Sequence, residues 1–190
     1  MGKRSSRPPV AQRIGRGARE YPAILLSRLG DNAPEELTAL GNPALLGTRR
    51  TALFCSARTP GDAILRAHDA ARRLRDEGVT VISGFHSPIE QECLRILLRG
   101  KQPIIICPAR AIETMRIPSE CRAAFDAGRV LFLSAFTKQP TRVTKDAARR
   151  RNEVVAALAD EACLAHITPA GHTEQVAEML RRWHVTIVAV

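Results

Sequence analysis

From residue 51 onward, short apolar runs alternate with longer amphipathic segments. The runs are TALFCS (51 to 56), VTVIS (79 to 83), PIIICP (103 to 108), RVLFLSAF (129 to 136), EACLAHI (161 to 167) and HVTIVAV (184 to 190). They are of strand length, rich in Val, Ile, Leu and Phe, and nearly continuous in hydrophobicity, which predicts strands buried on both faces as a parallel sheet requires. Between the first two, GDAILRAHDAARRLRDEG places Ile64, Leu65, Ala67, Ala71 and Leu74 near one helical face and turns its arginines outward. SPIEQECLRILLRG, SECRAAFDAG, TKDAARRRNEVVAALAD and HTEQVAEMLRRW behave alike, several ending in Gly or a basic turn. The alternation predicts (βα)5β: a Rossmann-like, doubly wound, mostly parallel six-stranded sheet in a three-layer αβα sandwich spanning residues 51 to 190.

The first 50 residues have a different texture. Residues 1 to 20 hold Lys3, Arg4, Arg7, Arg13, Arg16 and Arg19 against one acid, and read as a flexible basic tail. Residues 21 to 50 read as a lead-in of two short helical turns, punctuated by Pro22, Gly30, Pro34 and Gly41-Asn42-Pro43. No internal repeat is visible. The whole chain, at 190 residues, is long enough for one ordinary domain with a real core.

Charge adds a partner class. With 29 basic against 19 acidic residues the formal charge is +10, which suits nucleic acid or nucleotide phosphates, although a solvated arginine-rich surface has the same composition. The five cysteines are widely spaced with no zinc-ligand pattern, and Cys55, Cys107 and Cys163 lie inside apolar runs. They read as buried, reduced thiols of a cytoplasmic protein, with no metal. No apolar stretch approaches the roughly 20 residues of a membrane span, and the N-terminus has no secretory apolar core.

In an open parallel sheet, ligands bind beyond the carboxyl ends of the strands, where loops meet helix N-termini. That rule nominates CSARTPGD, SGFHSPIE, CPARAIETMRIP, SAFTKQPTRVTKDAARRRNE and HITPAGHTE. Most combine hydroxyls with Arg, Lys or Gly, the inventory that grips phosphate. Neither GxGxxG nor GxxxxGK[ST] is present, so dinucleotide and P-loop binding are disfavoured and no cofactor is expected. In SGFHSPIE, Pro88 suits a first helical turn and Glu90 complements its dipole, while His86 is a hydrogen-bond donor and Phe85 either a base-stacking platform or core. Arg110, Arg142 and Lys145 lie near the ligand edge. Of three successive arginines at 149 to 151, at least one faces solvent.

Several of these motifs, in order, resemble the DNA-processing protein A (DprA/Smf) family. YPAILLSRLGDNAPEELTALGNPALL resembles that family's entry segment, ALFCSAR its first strand with a Gly-Ser-Arg loop, and SGFHSPIE its Ser-Gly loop leading to Gly-Ile-Asp. RNEVVAALAD resembles its Arg-Asn-Arg-Ile-Ile-xxx-Leu helix, with Arg151 and Asn152 at the first two positions, and PAGHTE stands where the family has Ser-Gly-Ser-xx-Thr. The resemblance implies a dimeric, non-catalytic protein that binds single-stranded DNA and helps load a RecA-type recombinase during DNA uptake and recombination. It implies a DNA surface built from Ser56, Arg58, Ser83, Gly84, Arg151, Asn152 and the last loop, with Gly171 and Thr173. The chain departs from the family at Ala57, Pro88, Glu90, Leu94 and Ala135, and looks like a minimal, divergent member with the Rossmann-like domain only. Two rivals use a related cradle: a nucleoside monophosphate phosphoribohydrolase, whose PGGxGTxxE motif PAGHTE partly matches, with Val176 in place of the acid, and a sensor of a small nucleotide ligand.

Overall fold

The computed structural model, which describes residues 9–56, 60–137, 144–167 and 171–188, turns all six apolar runs into parallel strands. These are β3 (Arg50–Phe54), β4 (Thr80–Ser83), β5 (Ile104–Ile106), β6 (Val130–Ser134), β7 (Glu161–Leu164) and β8 (Thr186–Val188). Two further strands precede them, β1 (Gln12–Gly15) and β2 (Glu36–Gly41). The helices are α1 (Ala23–Leu29), α2 (Gly61–Asp76), α3 (Pro88–Leu98), α4 (Arg122–Asp126), α5 (Lys145–Leu158) and α6 (His172–Arg182). The sheet order is β1-β2-β6-β5-β4-β3-β7-β8, with β2 antiparallel to β6 and β1 antiparallel to β2.

The strand count therefore exceeds the expected six. ELTALG was expected as a helical turn, but Thr38 to Gly41 pair with Ser134 to Leu131, and the otherwise basic segment 12 to 15 contributes a strand whose one buried residue is Ile14. Pairing and burial outweigh local propensity at such positions. Gly41 has φ +121°, a conformation that glycine alone adopts readily, and a Cβ there would strike the carbonyl of Val130 on the paired strand.

Alternation along the strands feeds two cores. Ala52, Phe54, Ile82, Ile105, Leu131 and Leu133 face the side covered by α1, α5 and α6; Leu53, Val81, Ile104, Ile106, Val130 and Phe132 face the side of α2, α3 and α4. This distribution follows from the order of connections. Right-handed crossovers running β3 to β4 to β5 to β6 stack their helices on one face, and the chain then reverses across β3 to lay down β7 and β8 with α5 and α6 on the other. The reversal opens a crevice between β3 and β7 at their carboxyl ends, the topological switch point.

The lead-in is locked to this frame. Arg28 of α1 donates to the carbonyls of Ala157 (3.0 Å) and Ala159 (2.6 Å) at the end of α5 and lies 5.9 Å from the Trp183 ring. Tyr21 Oη donates to the Pro34 carbonyl at 2.5 Å. Arg50 donates through its backbone N–H (2.8 Å) and Nε (3.3 Å) to Asp160, fixing β3 to the turn before β7. Among the described residues no helix is long and apolar enough to cross a membrane.

All five cysteines are free and buried. Burial pushes the Cys107 thiol up to about 12, against the pull of the Arg151 charge, and the Cys121 thiol up to about 11, with Glu120 adding to the rise. A native pKa raised above the ordinary value of 9.0 means the folded state holds its proton more tightly than the unfolded state. The resulting stability is complete below that value and is lost as pH climbs toward 11 and 12. Urea unfolding between about pH 8 and 11 should show stability falling by up to about 1.4 kcal/mol per pH unit for each thiol in this window; a flat profile would contradict it.

Candidate phosphate-binding edge

At the carboxyl edge, α3 begins with a double cap. Ser87 Oγ accepts the Glu90 N–H at 3.2 Å, and Glu90 Oε2 accepts the N–H groups of Ser87 (3.3 Å) and His86 (2.8 Å). The same carboxylate reaches across to β3, where Oε1 accepts the Cys55 N–H at 3.1 Å. Glu90 is buried and ties two ligand-side loops together. Phe85 makes the turn that permits this, with φ +46°, a left-handed conformation costing a bulky residue about 1–3 kcal/mol. Its ring is buried in the core beside α3, so Phe85 is not a stacking platform; the aromatic is anchored inward to hold the strained turn.

The opposing charge comes from the other layer. Arg151 of α5 is buried, sharing an apolar stripe with Ala147, Val154 and Leu158, and its guanidinium extends over Gly84. A Cβ at Gly84 would overlap Nη1 and Cζ of Arg151, so the glycine is required by close approach and not by φ. Arg151 Nε donates to Asn152 Oδ1 at 2.7 Å and Nη1 to the Cys107 carbonyl at 3.4 Å, at the end of β5. Burial lowers the Arg151 pKa, and the negative charge of Glu90 offsets part of that; the guanidinium remains a cation.

The switch-point crevice is closed by hydroxyls. Ser56 Oγ, just past β3, donates to the His166 carbonyl at 3.0 Å and lies 2.7 Å from Thr173 Oγ1 in the first turn of α6. With its proton on His166, Ser56 accepts from Thr173, and the pair fastens α6 to the ends of β3 and β7. Gly171 is the α6 N-cap and leaves that position without a side-chain cap. Ser83 is fully buried and its Oγ accepts the Phe85 N–H at 3.3 Å, a positioning role within the loop.

The remaining candidates divide plainly. His86, Arg110 and Lys145 are exposed on loops or helix starts at this edge, with Lys145 opening α5 behind the Thr144 cap; their side chains do not meet one another. Ser134 Oγ holds the Arg110 carbonyl at 2.7 Å. Arg58 and Arg142 lie outside the described residues. Glu90 is the member whose reach was underestimated: the sequence signalled its cap through Ser87-x-x-Glu90, but not its bond to β3. Among the described residues no cluster of His, Cys, Asp and Glu could hold a metal ion.

The sequence matches the family model of DNA recombination-mediator protein A over residues 12–187. The chain belongs to that family. A solved structure of DNA processing protein A (DprA) from Streptococcus pneumoniae superposes with TM-score 0.75 at 19% identity, covering 94% of this chain and 62% of that one. The Helicobacter pylori DNA processing protein A, described for its single-stranded DNA binding mode, gives TM-score 0.72 at 16% identity, covering 94% and 80%. The molybdenum cofactor binding protein of Rippkaea orientalis shares the fold more distantly, with TM-score 0.52 at 8% identity over 75% of this chain and 76% of that one. No curated protein matches the sequence significantly. This chain thus spans less than two thirds of the pneumococcal protein's length.

In this member of the DNA recombination-mediator protein A family, the edge depends on Glu90 and Arg151 together. Glu90→Gln keeps the shape but turns one oxygen that accepts backbone N–H groups of Cys55, His86 and Ser87 into a donor, and should cost about 1–3 kcal/mol of unfolding free energy. Gly84→Ala should cost a similar amount by expelling Arg151. Urea midpoints that move with unchanged slope would report both; wild-type midpoints would show that the pair carries no weight.

Proposed function

We propose that the protein binds single-stranded DNA through phosphate contacts at the carboxyl edge of its parallel sheet, as an accessory of DNA recombination and uptake, and acts without catalysis. One observation carries this reading. Arg110, on the loop after β5, and Lys145 and Arg149, in the first two turns of α5, are exposed around that edge, and none has a carboxylate partner among the described residues. Unmatched cations around a crevice favour a polyanion. Membership in a recombination-mediator family supports the DNA assignment, as does the single-stranded DNA binding of the Helicobacter pylori relative. The same family reading extends to a homodimer that delivers the strand to a RecA-type recombinase.

A phosphoribohydrolase has less support. The position of its acid is Val176, which is buried, and a general base needs a carboxylate within reach of the proton it removes. Fluorescence titration of a labelled dT oligomer at two salt concentrations tests the DNA reading. The logarithm of affinity should fall with the logarithm of salt at about −0.7 per phosphate neutralised, and alanine at Arg110 or Lys145 should each reduce the slope by about 0.7. Negligible affinity at both salts would end the proposal.

A further inference from the structure

Next to the cradle, α5 and α6 leave a small groove of about 140 Å³ lined by Arg149, Asn152, Glu153, His172, Gln175 and Glu178. It is joined to the edge at two points: Asn152 also accepts from Arg151, and His172 directly precedes Thr173, which holds Ser56. Val176 and Met179 make an apolar floor. The rim is not purely basic. Glu153 is paired with Arg150 at 3.2 Å, but among the described residues Glu178 has no ion pair and the Gln175 side chain no hydrogen bond. An acidic acceptor and a free side-chain amide, Gln175, beside an apolar floor suit a flat heterocycle carrying amino donors.

Resting on the DNA reading above, we infer that this groove is a nucleobase pocket for the strand leaving the cradle, and that it selects an amino-bearing base over thymine. Cytosine and thymine differ at position 4, an amino donor in one and a carbonyl acceptor in the other. The Glu178 carboxylate and the Gln175 side-chain oxygen accept from the amino group and oppose the carbonyl. The Gln175 amide N–H can serve either base, so the carboxylate sets the preference. Arg149 stands at the mouth, where the connecting phosphate passes.

The test titrates the wild-type protein with labelled dC and dT oligomers of equal length, about 16 nucleotides, at one salt concentration. The expected result is about tenfold tighter binding of dC, corresponding to one good base contact. Glu178→Gln, exposed and outside the cradle, should bring dC to the dT level and leave the salt slope unchanged, whereas Gln175→Ala, equally exposed, should weaken both oligomers. Equal wild-type affinity for the two oligomers, or a dC preference that survives Glu178→Gln, overturns the pocket and leaves the DNA reading standing. Failure to bind either oligomer overturns both.

Discussion

Two buried charges from opposite layers of the sandwich hold the functional edge together. Glu90 arrives from α3 on one face and Arg151 from α5 on the other, and where the strands end they attract through space without forming an ion pair. A lone ion of either sign in this position would cost several kcal/mol. With both present, the carboxylate is spent on three backbone N–H groups and the guanidinium on a carbonyl and an amide. The loops after β3, β4 and β5 are thereby fixed relative to one another before any ligand binds. Such preorganisation leaves the exposed cations on a surface that is already ordered.

This constraint explains several otherwise unrelated choices in the sequence. Gly84 is small because a guanidinium lies on it, Phe85 accepts a left-handed backbone because its ring is anchored, and Ser87 caps because the next three residues must start a helix in one register. The departures from the family pattern fall in the same place. Pro88 rigidifies the start of α3, and Glu90, longer than the family's aspartate by one methylene, spans to Cys55 just past the end of β3.

The central sheet was legible because strands buried on both faces leave continuous apolar runs; five of the six parallel strands lie within those runs and β3 starts one residue before its own. The two antiparallel strands were not. QRIG has one buried residue, and ELTALG sits between proline and glycine breakers, so each becomes a strand only through pairing far along the chain. At the edge, the family resemblance pointed to Arg151 and Asn152. The inward turn of Arg151 was readable in principle from its spacing with Ala147, Val154 and Leu158, yet an arginine on an apolar stripe has no local reason to stay there. It is held by Asn152 and by the Cys107 carbonyl, 44 residues earlier, and such a partnership has no periodic signature.

The strand order also has a mechanical consequence. Residues 12 and 188 occupy opposite borders of the sheet, separated by seven interstrand steps, or about 34 Å. Tension applied through them runs across the strands, so the ladder opens like a zipper, one hydrogen bond after another, instead of resisting in shear. The short outer strands β1 and β8 would peel first, while Glu90 and Arg151, set over the middle of the sheet, lie off the line along which the load travels.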